Sequence, residues 1–241
     1  MNILRKCIKL LKLTKNMIYV NGLKKGVAAA IEHQNTLKTL SCKTVVDIGA
    51  NKGQFSLLSR QCFPDAKIIS FEPLPAPAKI FNQVFIDDKN TVLHNVAIGI
   101  KEEEAIIHLS QSDDSSSLLP VSDLQEEIFP GTSEVGTTMV SVAPLDIFLS
   151  KADIKSPALL KLDVQGFELD ALMGCESLIA SFDQIYCECS FVELYSGQKM
   201  APDIIAWLYK RGFILRGVYN MSYDDKGQAI QADFMFKSDL E

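Results

Sequence analysis

Four short segments hold the residues whose types and spacing suit chemistry. In VVDIGANKGQFS an apolar run ends in Asp47-x-Gly49-x-Asn51-x-Gly53 and passes straight into a helix-forming stretch. Glycines there allow positive φ and close approach of a ligand to the backbone, and the helix start presents unpaired N–H groups. Glu72 ends the next apolar run, 23 residues after Gly49, where a carboxylate can accept both hydroxyls of a ribose. In LLKLDVQGFELDAL, strand alternation places Lys161, Asp163 and Gln165 on one side and Leu160, Leu162 and Val164 on the other. A cation and an acid then converge near the C-terminal end of a strand, where open α/β sheets bind ligands. Burying either charge alone is unfavourable, so a structural ion pair and a substrate contact weigh equally as explanations. Glu188, late in DQIYCECSF, is expected to face the same rim.

The glycine spacing separates this turn from better-known nucleotide loops. The residue two after Gly49 is Asn51 and the next glycine is Gly53, so G-x-G-x-x-G is absent, and no G-x-x-x-x-G-K-[ST] occurs. Nicotinamide chemistry is disfavoured on that ground, and a nucleotide-dependent oxidoreductase is the weakest of the readings considered. His94 and His108 each sit inside a strand-like run, where a core or edge histidine is the usual outcome.

Elements that would position these residues follow from periodicity. KTVVDI (43–48), KIISFE (67–72), TVLHNVAI (91–98), ALLKLDV (158–164) and DQIYCECSF (183–191) read as buried strands alternating with helical stretches. Pro75 and Pro77 open a helix, another runs around Glu168 to Met173, and DIIAWLYKRG ends at Gly212. FILRGVY and AIQADFMF flank a polar turn and read as an antiparallel hairpin. The expected class is α/β, with a largely parallel sheet covered on both faces. Between Ser110 and Thr138 the rhythm breaks into SQSDDSSSLLP and PGTSEVGTT, a lid-like insertion whose flanks, AIIHLS and TMVSVA, could pair as edge strands.

The 241 residues, 47% apolar and 22% charged, fit one globular domain (41–241) behind a basic N-terminal extension (1–40). Residues 1–31 carry a charge of +7 and the remainder −13, which argues against a nucleic-acid footprint over the body. Leu4, Cys7, Ile8 and Leu11 share one face of an amphipathic helix and Arg5, Lys9 and Lys12 another. Packing on its own domain is favoured for that helix over weak attachment to an anionic membrane surface or a partner. Six cysteines show no C-x-x-C pair, so no disulfide framework or structural zinc is implied, and a reducing cytoplasmic interior fits. Cys187 and Cys189 are expected to be buried on one strand face with Glu188 on the other.

Taken together, D-I-G-A-N-K-G, F-E-P-L-P, V-A-I-G and K-L-D-V-Q-G-F-E-L resemble the FkbM family of S-adenosylmethionine-dependent methyltransferases over about residues 43 to 236. The resemblance implies a Rossmann-like class I methyltransferase fold: a mostly parallel seven-stranded sheet with an antiparallel terminal hairpin and helices on both faces. It also implies O-methylation of hydroxyls on sugars, glycans or natural products. By the same resemblance Asp47, Gly49, Asn51 and Gly53 hold the methionine part of the cofactor, Glu72 the ribose, and Asn95 and Val96 flank the adenine. Asp163 matches the acid of the family's K-x-D-x-E-G segment, but Gln165 stands where that segment usually has Glu, and an amide can neither act as a base nor hold a cation as strongly. Glu168 matches a frequent downstream acid and is expected to cap or solvate the helix start. Asp163 and Glu188 are the candidate bases, with Lys161 orienting Asp163, and a divalent metal is left open. A non-catalytic binding protein that keeps the cofactor fold is the alternative from another class, favoured by Gln165. No D/N-P-P-[YF] segment follows Asp163, which disfavours a nucleic-acid base as acceptor.

Overall fold

The computed structural model describes residues 11–239. Among these, the strands are β1 (Thr44–Ile48), β2 (Lys67–Phe71), β3 (Thr91–His94), β4 (Ala97–Ile98), β5 (Glu103–Ser110), β6 (Glu134–Ala143), β7 (Ala158–Leu162), β8 (Gln184–Ser190), β9 (Phe213–Tyr223) and β10 (Ala229–Ser238). The helices are α1 (Met17–Lys24), α2 (Gln34–Leu37), α3 (Gln54–Cys62), α4 (Pro75–Val84), α5 (Asp123–Ile128), α6 (Glu168–Gly174) and α7 (Ala201–Tyr209). Seven strands form one sheet in the order β3-β2-β1-β7-β8-β10-β9, parallel throughout except for β10, which runs antiparallel to both neighbours. The continuous Val, Ile and Leu runs of β1 and β7 are buried along their whole length, as strands covered on both faces must be.

Two apolar cores flank the sheet. On one face α3 and α4 pack through Phe55, Leu58, Phe81 and Phe85 against Val45, Ile68 and Leu159. The other face takes α6 and α7, whose Leu169, Leu172, Ile204 and Leu208 meet Val46, Leu160 and Ile185. Leu13, Tyr19, Val27, Ala29 and Leu37 join the first core, so the described part of the N-terminal extension is built into the domain. The basic amphipathic face expected from Leu4 to Leu11 falls almost wholly outside the described residues. No helix among the described residues is long and apolar enough to cross a membrane.

Three expected elements differ. The single strand expected over 91–98 is divided: β3 stays in the main sheet, whereas β4 crosses to a separate three-stranded sheet ordered β4-β6-β5. The break is at Asn95, whose Nδ2 donates to the carbonyls of Glu72 (2.7 Å) and Pro73 (2.9 Å) and draws the chain aside. The fourth buried strand stops at Leu162 rather than Val164, because Gln165 (φ 54°) and Gly166 (φ 95°) turn through the left-handed region. The flanks of the insertion do pair antiparallel as β5 and β6, but in the small sheet.

Candidate functional site

β1 lies between β2 and β7, and the connections leave in opposite directions at its C-terminal end, which opens a crevice there. A cavity of about 490 Å³ occupies that position. Its floor is the turn after β1. Gly49 (φ 77°), Asn51 (φ 47°) and Gly53 (φ 94°) all take left-handed conformations, and Gly49 and Ala50 donate their N–H groups to the Phe71 carbonyl at 3.0 Å each. A Cβ on Gly49 would stand 1.9 Å from the Asp163 carbonyl oxygen, so the backbones of the β1 and β7 loops meet with no room for a side chain. A Cβ on Gly53 would instead press on the Phe81 and Phe85 rings.

Glu72 forms the opposite wall. It is 6% exposed, and its carboxylate accepts the N–H of Asn51 (2.9 Å) and of Leu74 (2.8 Å). Burial pushes this carboxyl up to about 7, against the opposing pull of those two N–H groups and of Lys161. Val96, Ile98, Ile107 and Phe167 supply an apolar flank, a slot suited to a planar ring.

Lys161 is buried beneath the turn. Its Nζ lies 3.1 Å from Asp47 Oδ1, 2.9 Å from the Gly49 carbonyl, 3.9 Å from Asp163 Oδ2 and 5.5 Å from the centre of the Phe55 ring. Burial depresses the ammonium, but Asp47 and Asp163 outweigh it and the group is held above the ordinary lysine range. Asp163 lines the cavity, and its Oδ1 accepts Gln165 Nε2 at 2.7 Å. That amide also donates to Glu188 (3.2 Å), while Gln165 Oε1 accepts the Tyr195 hydroxyl (2.8 Å). A neutral wedge thus separates two acids.

Of the residues expected at the site, Gly49, Asn51, Glu72, Val96, Lys161, Asp163 and Gln165 line this cavity, whereas Asp47, Gly53, Asn95 and Glu188 do not. Asp47 is fully buried and spends its carboxylate on Ser56 Oγ (2.6 Å) and Lys161. It therefore braces the turn from below. Gly53 sits against aromatic rings, and Asn95 shapes the chain behind Glu72. Glu188 stands behind Gln165 and accepts from Gln231 Nε2 (2.9 Å); burial, Asp163 and Asp233 raise its carboxyl well above the usual range. Glu168 does not solvate the helix start. It is 2% exposed, accepts the N–H of Val164 and Gly166, and burial pushes it up to about 7. His94 stacks on Phe71 and meets Phe148 at a tilt, and His108 meets Glu134; neither histidine lines the cavity. Cys187 and Cys189 are buried as expected. Among the described residues, no cluster of three or more His, Cys, Asp or Glu is arranged to hold a metal ion.

Two further parts of the chain complete the site: the insertion, which the sequence marks as lid-like, and the segment before β1, which it does not mark. The insertion bends over the turn, with Asp113 joined to Lys52 Nζ (2.6 Å) and to Asn51 Nδ2 through its carbonyl (3.2 Å), and Ser117 Oγ donating to the Gln165 carbonyl (2.6 Å). Asp114, Ser116 and Leu118 join the lining there. From the N-terminal side Val27, Ala30 and His33 close the remaining wall; a lone histidine before the first strand has no pattern to mark it.

A family model described as the methyltransferase FkbM domain matches residues 47–215. The chain belongs to that family. The span matched to the FkbM domain takes in every cavity-lining residue expected from the motifs. Among curated relatives, "2-O-methyltransferase NoeI" of Sinorhizobium fredii is 27% identical over 188 residues, covering 75% of this chain and 77% of the relative. "Methyltransferase 1" of Beauveria bassiana is 29% identical over 150 residues, covering 55% of this chain and 58% of the relative, so the match spans just over half of that protein's length. A solved structure described as a putative rRNA methylase from Clostridium thermocellum superposes with a TM-score of 0.51 at 7% identity, over 88% of this chain and 96% of that one. At that identity the likeness speaks to the fold, which is that of class I methyltransferases.

Proposed function

We propose that this FkbM protein transfers a methyl group from S-adenosylmethionine to a hydroxyl of a sugar, glycan or natural-product acceptor. The observation that carries the reading is Glu72: a buried carboxylate, pinned by two backbone N–H groups, facing a crevice at the tips of β1 and β2. The residues fit the ligand. Glu72 accepts the vicinal diol of the ribose, the apolar slot at Val96 and Phe167 takes the adenine, and the turn at Gly49 and Asn51 approaches the methionine part. The cofactor supplies a methyl already activated on a sulfonium, so the protein chiefly aligns and deprotonates the nucleophile. Asp163 accepts a hydrogen bond from a hydroxyl of the acceptor next to the reacting one, and so turns the reacting oxygen toward the methyl. Lys161 and Gln165 fix Asp163 in that pose, and Glu188 holds Gln165. Hydroxyl-bearing acceptors are supported by the polar roof of Asp114, Ser116 and Ser117, and by the name of the NoeI relative.

Calorimetric titration with S-adenosylmethionine and S-adenosylhomocysteine tests the ligand, and labelled-methyl transfer into glycan and metabolite extracts tests the reaction. Absence of binding to either compound would remove the proposal. Asp163→Asn is expected to lower turnover on the order of 100-fold while cofactor affinity stays within a few-fold; unchanged turnover takes Asp163 out of the reaction.

Glu72 also gives the binding a pH dependence. Its carboxyl is raised to about 7, and only the ionised form accepts both ribose hydroxyls, so below that pH the free protein must lose a proton before binding. Affinity should therefore fall as pH drops from 7.5 to 5.5, by up to about tenfold per unit. Glu72→Gln should flatten the profile and bind weakly throughout. A wild-type profile already flat over that range would contradict the assignment of Glu72 to the diol.

A further inference from the structure

We infer that His33 and Asp233 form the proton-removing dyad of this methyl transfer, with His33 Nε2 as the base that takes the acceptor's hydroxyl proton. The inference rests on the methyltransfer reading above and adds the group that reading leaves unassigned. Asp163 serves poorly as the base, since its charge is already shared by Lys161 and the Gln165 amide.

The geometry is that of an oriented imidazole. His33 lines the cavity beside Phe55, with its side chain 18% exposed. Nδ1 lies 3.2 Å from Asp233 Oδ2 and 3.1 Å from both the Tyr186 hydroxyl and Asn220 Nδ2; Asn220 Nδ2 donates to the same Oδ2 at 2.7 Å, so the Nδ1 proton is assigned to Asp233 and Nε2 is left for the cavity side. An Nδ1–H donated to a carboxylate fixes that tautomer and stabilises the imidazolium formed after proton transfer. The ring itself is held edge-on by Phe55 and by Tyr186, each with centroids 5.6 Å away.

The elements packed around the pair supply donors that hold Asp233 as an anion and one opposing acid, Glu188 of β8, which pairs directly across from Asp233 and is itself pushed toward its neutral form by burial and the neighbouring acids. From β9, Asn220 Nδ2 donates to Asp233 Oδ2 at 2.7 Å, and Tyr219 packs on Tyr186. From β8, the Tyr186 hydroxyl sits 3.1 Å from His33 Nδ1. From β7, Lys161 lies against the Phe55 ring that His33 also contacts. Burial pushes the Asp233 carboxyl up, but bonds from His33, Asn220 and Tyr186 prevail and hold it below the ordinary range. Asn220 is a non-glycine at φ 49°, beside a register shift in the β9–β10 ladder. A side chain is re-aimed here at the expense of backbone comfort, a local irregularity that tends to gather at functional sites. Neither His33 nor Asp233 lies within the span matched by the family model.

In the step, the acceptor's O–H proton passes to Nε2 and the oxygen's electron pair forms the new bond to the methyl carbon. The electron pair of the broken carbon–sulfur bond remains on sulfur, which becomes a neutral thioether. The proton on His33 then leaves to solvent. Asp233 acts as the positioning residue.

Three measurements on the full-length protein decide it. Nitrogen-15 spectra of the three histidine rings should place neutral His33 in the Nδ1–H form; the Nε2–H form overturns the inference without any acceptor being known. His33→Gln and Asp233→Asn should each lower methyl transfer on the order of 100-fold or more, with S-adenosylmethionine affinity within threefold of wild type. Added imidazole should restore part of the activity of His33→Ala. If wild type binds no S-adenosylmethionine, the underlying reading fails and this one with it. If binding is intact and His33→Gln turns over within threefold of wild type, the dyad alone is refuted.

Discussion

Replacing Lys161 with Met is expected to destabilise the protein by about 3–5 kcal/mol, the usual consequence of stripping one partner from a buried ion pair. The lysine is enclosed between Asp47, which is fully buried, and the Gly49 carbonyl. Removing it strands a carboxylate whose other partner among the described residues is Ser56. The double variant Asp47→Asn with Lys161→Met tests the cause directly, because it removes the stranded charge and keeps an oxygen for Ser56. Chemical denaturation should find the double variant at least half recovered relative to Lys161→Met alone. Additive losses would mean that the lysine stabilises by packing on Phe55 rather than through its charge.

Gly49→Ala is expected to lower stability by roughly 2–5 kcal/mol, from left-handed backbone strain plus an overlap with the Asp163 carbonyl that no rotamer change relieves. For a chain of this size that corresponds to a melting temperature about 5–15 °C lower. Gly53→Ala shares the positive φ but meets only ring atoms of Phe81 and Phe85, which can shift. It should therefore be distinctly milder. Thermal unfolding of the two variants side by side ranks them, and equal losses would mean that backbone strain, not the approach to Asp163, is what the glycine relieves. Gly49→Ala should also abolish cofactor binding, since the Asn51 N–H that grips Glu72 moves with the turn.

The strands nearest the crevice were readable because two-sided burial demands unbroken apolar runs, and TVVDI, KIISF and ALLKL supply them. The division of the third strand was not readable: V-A-I-G continues the apolar pattern, and the break comes from Asn95 reaching carbonyls of the neighbouring loop, a tertiary contact. The cavity position followed from where strands end and glycines begin, and Gly49, Asn51 and Glu72 line it for that reason. Spacing says which residues are near a strand tip but not which way a side chain finally points. Asp47 faces inward to Lys161, and Glu188 is screened by Gln165, because the left-handed turn at Gln165 ends the alternation that would have carried three polar residues to one rim. Glu168 shows the same limit, since its carboxylate turns back to satisfy backbone donors instead of meeting solvent. His33 and Asp233, some two hundred residues apart in the chain, meet only because the hairpin closes the sheet beneath the N-terminal segment.

Contact between the Gly49 backbone and the Asp163 carbonyl leaves no slack between the two halves of the crevice. Any displacement of one loop on ligand entry is delivered to the other without an intervening hinge. Occupancy of the adenosyl half should then change the affinity of the acceptor half, and thermodynamic reciprocity requires the same factor in return. The two ligands would then bind as a linked pair, each altering the place of the other by the same factor.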